Sequence, residues 1–111
     1  MGQCYYVELK LNIDNEAKFI AAANWFMKNR TDARFIDTYK PDSVDNIARI
    51  ILVAQQNGFE KKDEGYYISE FDASYGWEGL LADFFTAVKH TLLKGSYITV
   101  YPDSGHWTEE V

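Results

Sequence analysis

The segment from Trp77 to Leu93 carries the pattern that most restricts how this chain can fold. Its apolar residues recur at spacings of three and four and cover a broad arc of a helix surface: Trp77, Leu80, Leu81, Phe84, Phe85, Ala87, Val88 and Leu92. An arc of this width is typical of a helix that lies across a sheet. The segment therefore predicts both a helix and the sheet that supports it.

The strands of that sheet are predicted on both sides of the helix. Residues 5–13 alternate strictly, as a half-buried strand does. One side of this strand carries Tyr5, Val7, Leu9, Leu11 and Ile13, and the other carries Tyr6, Glu8, Lys10 and Asn12. Residues 66–73 and 96–102 predict two more strands, and HWTEEV at residues 106–111 can return as a terminal strand. The polar residues 61–65 predict either a hairpin or a loop before the strand at 66–73.

Two further helices are predicted between the first two strands. Asp14 or Asn15 can cap the first, whose apolar stripe runs to Met27 and leaves Trp25 to one side. The second begins at residues 42–43 and can stop at Gly58. A buried strand stays open for its RIILVA core, which is rich in β-formers. Residues 30–41 are interpreted as a connection, with an edge strand as the alternative.

These elements give the order βααβαββ. Residues 1–111 are the length of one domain that can bury a core without a disulfide or a metal. We expect an α+β fold, a single-domain two-layer sandwich with three helices on one face of a mainly antiparallel or mixed sheet.

Composition narrows the class of protein. The net charge is −6, and residues 41–111 hold twelve acidic against five basic side chains. An acidic surface repels phosphates and anionic lipid, so we expect neither a nucleic-acid nor a membrane partner, and a basic protein surface fits better. One cysteine cannot form an internal disulfide, and the N-terminus lacks a secretory pattern, so a cytoplasmic location is expected.

The sequence predicts no catalytic residue, metal ligand or cofactor. Two histidines and one cysteine lack metal-ligand spacing. His90 is expected on the polar side of its helix, and His106 follows PDSG, which is ordinary turn chemistry. Glu70 and Asp72 alternate on a strand, hence share a face, but Asp72 or Ser74 is better explained as a helix cap, and Glu78 as a charge complementing the helix dipole.

Tyrosines provide a positive indication of function. If Ile98 and Val100 face the helices, then Tyr97, Thr99 and Tyr101 face away, on the same side as Tyr6, Glu8 and Lys10. Such a face would combine tyrosines with carboxylates, and Tyr and Trp often anchor protein interfaces. Buried amphipathic tyrosines are the alternative explanation.

FDASYGWEGLLADFFTAV and KGSYITVYPDSG, within residues 71–105, resemble a pattern of strand, aromatic turn, helix, strand and turn in small acidic uncharacterised proteins of bacterial and mobile-element genomes. The resemblance covers about a third of the chain and supplies no catalytic residue. It implies a recurring compact acidic module, similar in size and charge to anti-CRISPR, antirestriction and toxin-immunity proteins.

These observations predict a non-enzymatic inhibitor that docks a basic protein surface, such as that of a nuclease. The predicted partner-binding residues are Glu70, Asp72, Tyr75, Glu78, Asp83, Tyr97, Tyr101 and Trp25. One alternative is a small-molecule site or enzyme with a cleft near residues 72–77 and 101–106. The other is a structural protein that self-assembles through its sheet, as a homodimer for example.

Overall fold

A computed structural model describes residues 5–30, 40–52, 59–62, 65–73, 76–102 and 105–111. Its strands are β1 (Tyr6–Leu11), β2 (Glu60–Lys62), β3 (Gly65–Asp72), β4 (Tyr97–Tyr101) and β5 (Trp107–Glu110). Its helices are α1 (Glu16–Asn29), α2 (Val44–Ile51) and α3 (Trp77–Val88), and a 3₁₀ turn at Lys89–Thr91 continues α3.

The five described strands form one sheet in the order β2-β3-β1-β4-β5, and each described pairing is antiparallel. β1 lies at the centre, between β3 and β4, and α3 connects these two neighbours. The α+β class is confirmed, with three helices on one face of the sheet. β2 adds a strand to the predicted order, because the polar segment before β3 forms a hairpin rather than a loop.

β1 follows its predicted alternation. Val7, Leu9 and Leu11 are fully buried under the helices, whereas Tyr6 is 47% exposed on the other face. Because side chains alternate along a strand, Glu8 and Lys10 share the face of Tyr6. The sequence pattern of this strand therefore determines which side of the sheet is the core.

β3 contains a bulge that changes its alternation. Val7 pairs with Phe71, but Leu9 pairs with Ile68, so two steps along β1 match three along β3. The extra residue lets Tyr66 and Ile68 pack on the core together with Phe71, although both lie an odd number of residues before Phe71 and strict alternation would place them on the opposite face. Tyr67 consequently lies opposite Lys10 on the outer face.

Caps explain where two of the helices begin. The Asn15 side chain accepts a hydrogen bond from the Lys18 amide, and the Ser43 side chain accepts one from the Asn46 amide, both at 3.1 Å. Both N-terminal predictions are confirmed. Residues 53–58, which include Gly58 as the predicted end of α2, and residues 31–39 lie outside the described residues.

The cap predicted for α3 is wrong in part. Asp72 stays in β3, opposite Tyr6, and the N-cap is Gly76, which has a φ of 91° and makes no side-chain cap bond. A left-handed residue is needed there because the chain turns sharply from strand to helix, and glycine adopts that conformation without strain. Ser74, the other predicted cap, lies outside the described residues.

The core fills the space between the helices and the sheet. Leu80, Leu81, Phe84, Phe85 and Val88 of α3 are fully buried, as the broad apolar arc predicts. Phe84 meets the rings of Phe19 and Phe26 of α1 edge-on, at centroid distances of 6.0 and 5.7 Å. The helix layer therefore covers one face of the sheet, and the described helices leave the opposite face uncovered.

Candidate functional site on the outer face of the sheet

The face of the sheet that points away from the helices carries a cluster of aromatic and charged side chains. We call it the tyrosine face and define it by Tyr6, Glu8, Lys10, Tyr67, Asp72, Tyr97 and Tyr101. Cross-strand pairing aligns these residues in rows, of which Asp72–Tyr6–Tyr101 and Tyr67–Lys10–Tyr97 each span three strands. The predicted grouping of Tyr97 and Tyr101 with the outer residues of β1 is present in the structure.

Glu8 lies at the centre of this face, with a phenol on either side. Its direct neighbour on β4 is Thr99, so Tyr97 and Tyr101 occupy the two diagonal positions. The Tyr101 hydroxyl donates a hydrogen bond to Oε2 of Glu8 at 3.3 Å. Thr99 is buried and its hydroxyl lies 2.9 Å from that of Thr108 on β5.

The pKa values of both phenols reflect this arrangement. The pKa of Tyr97 is raised above 10.0, first by burial, then by the negative charge of Glu8 and a hydrogen bond to it, with Lys10 acting in the opposite direction. The pKa of Tyr101 is raised by desolvation and then by the charge and hydrogen bond of Glu8. A phenolate beside a carboxylate is unfavourable, so both tyrosines stay protonated donors at neutral pH.

Lysines surround Tyr67 at the other end of the face. Lys62 Nζ lies 4.9 Å from the Tyr67 ring centroid, and Lys10 Nζ lies 5.4 Å from it. Glu60, which pairs with Tyr67 across the strands, approaches Lys62 at 3.9 Å. The cations at this end thus already contact an aromatic ring of the same chain.

The end near Asp72 is the more exposed one. Tyr6 is 47% exposed, Tyr101 is 40% exposed, and Asp72 is exposed beside them. The His106 ring packs on Tyr101 at a centroid distance of 5.7 Å and a tilt of 33°. This half of the tyrosine face presents two aromatic rings and two carboxylates to solvent, Glu8 being half-buried.

The predicted partner-binding residues do not lie on one surface. Asp72, Tyr97 and Tyr101 belong to the tyrosine face, whereas Trp25 and Asp83 lie on the helix layer. Asp83 forms an ion pair with Arg30 at the end of α1. Sequence periodicity placed Tyr97 and Tyr101 on the outer side of the sheet and Trp25 off its helix stripe, but it could not show that these positions lie on opposite sides of the molecule.

The other predicted partner-binding residues are Glu78, Glu70 and Tyr75, and none of them is part of the tyrosine face as defined above. Glu78 lies in the first turn of α3, and its Oε2 atom is buried without a hydrogen-bond partner among the described residues. The Glu70 backbone is part of β3. The Glu70 side chain and Tyr75 lie outside the described residues.

Trp25 stands at the seam between α1 and α3 and is 63% exposed. A depression of about 430 Å³ on one side of it reaches Lys18 and His90, and another of about 490 Å³ on the other side reaches Arg30 and Asp83. His90 is exposed, as predicted. These depressions are shallow, with alanine side chains between the helices.

The cleft predicted near residues 72–77 and 101–106 includes residues 74–75 and 103–104, which lie outside the described residues. Trp77 packs its ring against Phe71 at 6.5 Å, on the core side. A third cavity, of about 480 Å³, lies between the starts of α1 and α2 and contacts Tyr66. There the Tyr66 hydroxyl donates a hydrogen bond to Glu16 at 3.0 Å.

The described residues contain no group of three or more His, Cys, Asp or Glu side chains that could hold a metal ion. None of the helices in those same residues has the length and apolar character that crossing a bilayer requires.

Two aromatic residues were missed by the sequence prediction. Tyr67 belongs to the tyrosine face because the bulge in β3 reverses its side, and nothing in the local pattern signals that bulge. Trp107 is 44% exposed and pairs with the buried Val100 on the edge strand β5. The position of Trp107 in a short terminal strand is the sequence feature that could have predicted its exposure.

The chain matches no family model, and no curated protein or solved structure is significantly similar to it. The resemblance of residues 71–105 to acidic proteins of mobile elements therefore stays a prediction.

Proposed function

We propose that this chain is a non-enzymatic protein-binding module that docks a basic surface of another protein through its tyrosine face. The protein acts as an inhibitor of the anti-CRISPR, antirestriction or toxin-immunity kind, and its target is a nuclease. Such a protein would act in the cytoplasm, as the single cysteine also suggests.

The exposed row of Asp72, Tyr6 and Tyr101, with Glu8 beside it, is the observation that supports the proposal. It combines rigid aromatic side chains with negative charge on a sheet that the described helices leave uncovered. A tyrosine buries a large apolar ring in an interface and keeps a hydroxyl for hydrogen bonding, so tyrosines contribute affinity. Carboxylates attract a basic partner and fix its orientation.

Nucleic acid fits this face poorly. Sheets that stack single-stranded bases combine aromatic rings with a positively charged groove. Here the lysines lie around Tyr67, while the more exposed aromatic end carries Glu8 and Asp72. Phosphates would meet carboxylates at the rings that are most accessible.

Affinity capture from a lysate of the native host tests the proposal. Immobilised wild type is compared with Tyr101→Ala on the tyrosine face and with Trp25→Ala on the helix layer. Trp25 is the matched control because it is also a large exposed aromatic residue. We expect a basic protein that the wild type and Trp25→Ala retain and that Tyr101→Ala loses.

Calorimetric titration with the captured protein then gives the energetics. Truncation of an anchoring tyrosine should weaken binding by about 2 kcal/mol, roughly thirtyfold. Affinity should also fall as salt rises, because exposed charges are screened. A captured protein that Trp25→Ala loses and Tyr101→Ala retains would place the interface on the helix layer and refute the proposal.

A further inference from the structure

Glu8 has a local environment suited to one kind of ligand. It is half-buried, it accepts a hydrogen bond from Tyr101, and Tyr97 lies at the other diagonal position on β4. No ion pair joins Glu8 to a cation among the described residues, whereas Asp45, Glu60, Asp83 and Glu109 each have one. Glu8 is therefore a central carboxylate of this face that has a phenol donor and no counter-ion among the described residues.

We propose that Glu8, between Tyr97 and Tyr101, is the binding site for an arginine side chain of the partner protein. The inference rests on the proposed function, since it names the group that the tyrosine face recognises. A carboxylate has two oxygens and about four acceptor positions, so the phenols leave room for a cation.

A guanidinium fits this site better than an ammonium. Its planar fork of donors can form two parallel hydrogen bonds with a carboxylate, and its face can stack on a tyrosine ring. Lysine offers a compact, strongly hydrated charge that gains less from the rings. Lys10 and Lys62 contact the Tyr67 ring, whereas Tyr97 and Tyr101 border the carboxylate of Glu8.

The phenols also prepare the carboxylate for its ligand. Tyr101 donates a hydrogen bond to Oε2 from one diagonal position, and the Tyr97 ring lies at the other. A side chain that is held before binding loses less conformational freedom when it binds. Glu60 is a carboxylate on the edge strand β2, is exposed and is paired with Lys62, so it serves as a matched control.

Titration with small amino-acid derivatives tests the site directly. N-acetyl-arginine methylamide is added to ¹³C-labelled protein, and the NMR signals of the Glu8 carboxyl and the Tyr97 and Tyr101 rings are followed. The lysine derivative tests the preference for a guanidinium. The citrulline derivative keeps the planar shape but carries no charge.

We expect saturable shifts at Glu8 and both rings with the arginine derivative. Binding of the lysine derivative should be about two- to fivefold weaker, as loss of stacking on an exposed aromatic ring implies. Glu8→Gln should abolish the response, and Glu60→Gln should preserve it. Equal shifts with arginine and citrulline derivatives, absence of shifts, or an unchanged response in Glu8→Gln would each overturn the site.

The host partner separates this inference from the proposed function. If a captured protein depends on Tyr101 but binds Glu8→Gln as tightly as wild type, the tyrosine face docks a partner and the arginine site is wrong. If no capture depends on the tyrosine face, the proposed function fails whatever the small derivatives do. Glu8→Gln and wild type should give equally dispersed NMR spectra, which excludes unfolding as the cause of a loss.

Discussion

Glu8 influences the titration of two tyrosines, and this can be measured without knowing a partner. Glu8→Gln removes a negative charge beside both phenols, so the pKa values of Tyr97 and Tyr101 should fall towards 10.0. Both pKa values should stay above 10.0, because desolvation is the largest cause of each shift and persists in the variant. The ring carbon that bears the hydroxyl reports each pKa by NMR. Unchanged pKa values in Glu8→Gln would mean that the carboxylate does not act on the phenols.

The same shifts make the free energy of unfolding depend on pH. The pKa of each phenol is higher in the folded state than in the unfolded chain, so the contribution is complete below the unfolded value of 10.0 and is lost as pH rises through the raised pKa. Urea unfolding from pH 8 to 11, roughly, should show a decline that is shallower in Glu8→Gln. Identical profiles for the two proteins would contradict the coupling.

At the level of elements, two glycines should respond oppositely to the same substitution. Gly65 begins β3 at a φ of 134°, and a Cβ there would lie 2.6 Å from the Leu11 carbonyl oxygen of β1. Gly65→Ala should destabilise the fold by about 1–3 kcal/mol, because strain adds to the close contact. Gly79 lies in α3, where a Cβ would meet nothing within 4 Å.

Gly79→Ala should therefore stabilise the fold by about 0.5–1 kcal/mol, since alanine loses less backbone entropy in a helix. Urea midpoints at an unchanged slope give both values. A shift of the midpoint in the same direction for both substitutions would contradict the expectation that the two glycines differ in their surroundings.

The cap of α2 provides a second test at this scale. Ser43 Oγ accepts a hydrogen bond from the Asn46 amide, so Ser43→Ala should destabilise the fold by about 1 kcal/mol. Ser43→Asp keeps an acceptor at the cap and should remain near the wild-type stability. Equal losses in both variants would show that the hydroxyl has a role other than capping.

Sequence periodicity predicted the elements that local chemistry determines. β1 alternates strictly, so its buried and outer sides could be assigned, and with them the outer side of Tyr97 and Tyr101. Asn15 and Ser43 identified two helix starts because a cap needs only a nearby amide. These features depend on residues that are close in sequence.

The remaining features depend on pairing between distant segments. The bulge in β3 exists because Phe71 must meet Val7 while Ile68 meets Leu9, and neither partner is visible from β3 alone. Gly76 replaced the predicted cap because the chain has to turn between β3 and α3. The separation of Trp25 from Tyr101 likewise required the packing of helices on the sheet.

At the scale of the whole molecule, the tyrosine face could bind either a second copy of the chain or a different protein. Two copies meeting through the exposed Asp72 end of this face would bring Glu8 and Asp72 of one near those of the other, and like charges at an interface are unfavourable. We therefore expect a monomer, with a mass of 12.8 kDa by light scattering at ordinary ionic strength.

Light scattering of Tyr101→Ala and Trp25→Ala shows which surface forms a dimer, if the wild type is dimeric. A dimer that Tyr101→Ala disrupts would mean that the tyrosine face binds a second copy, which favours the self-assembly alternative over the inhibitor. A dimer that only Trp25→Ala disrupts would assign self-association to the seam between α1 and α3, and would leave the tyrosine face available for a basic partner. A monomer that captures a basic protein through Tyr101 satisfies both parts of the expectation, because the charge that keeps copies apart is the charge that attracts the partner.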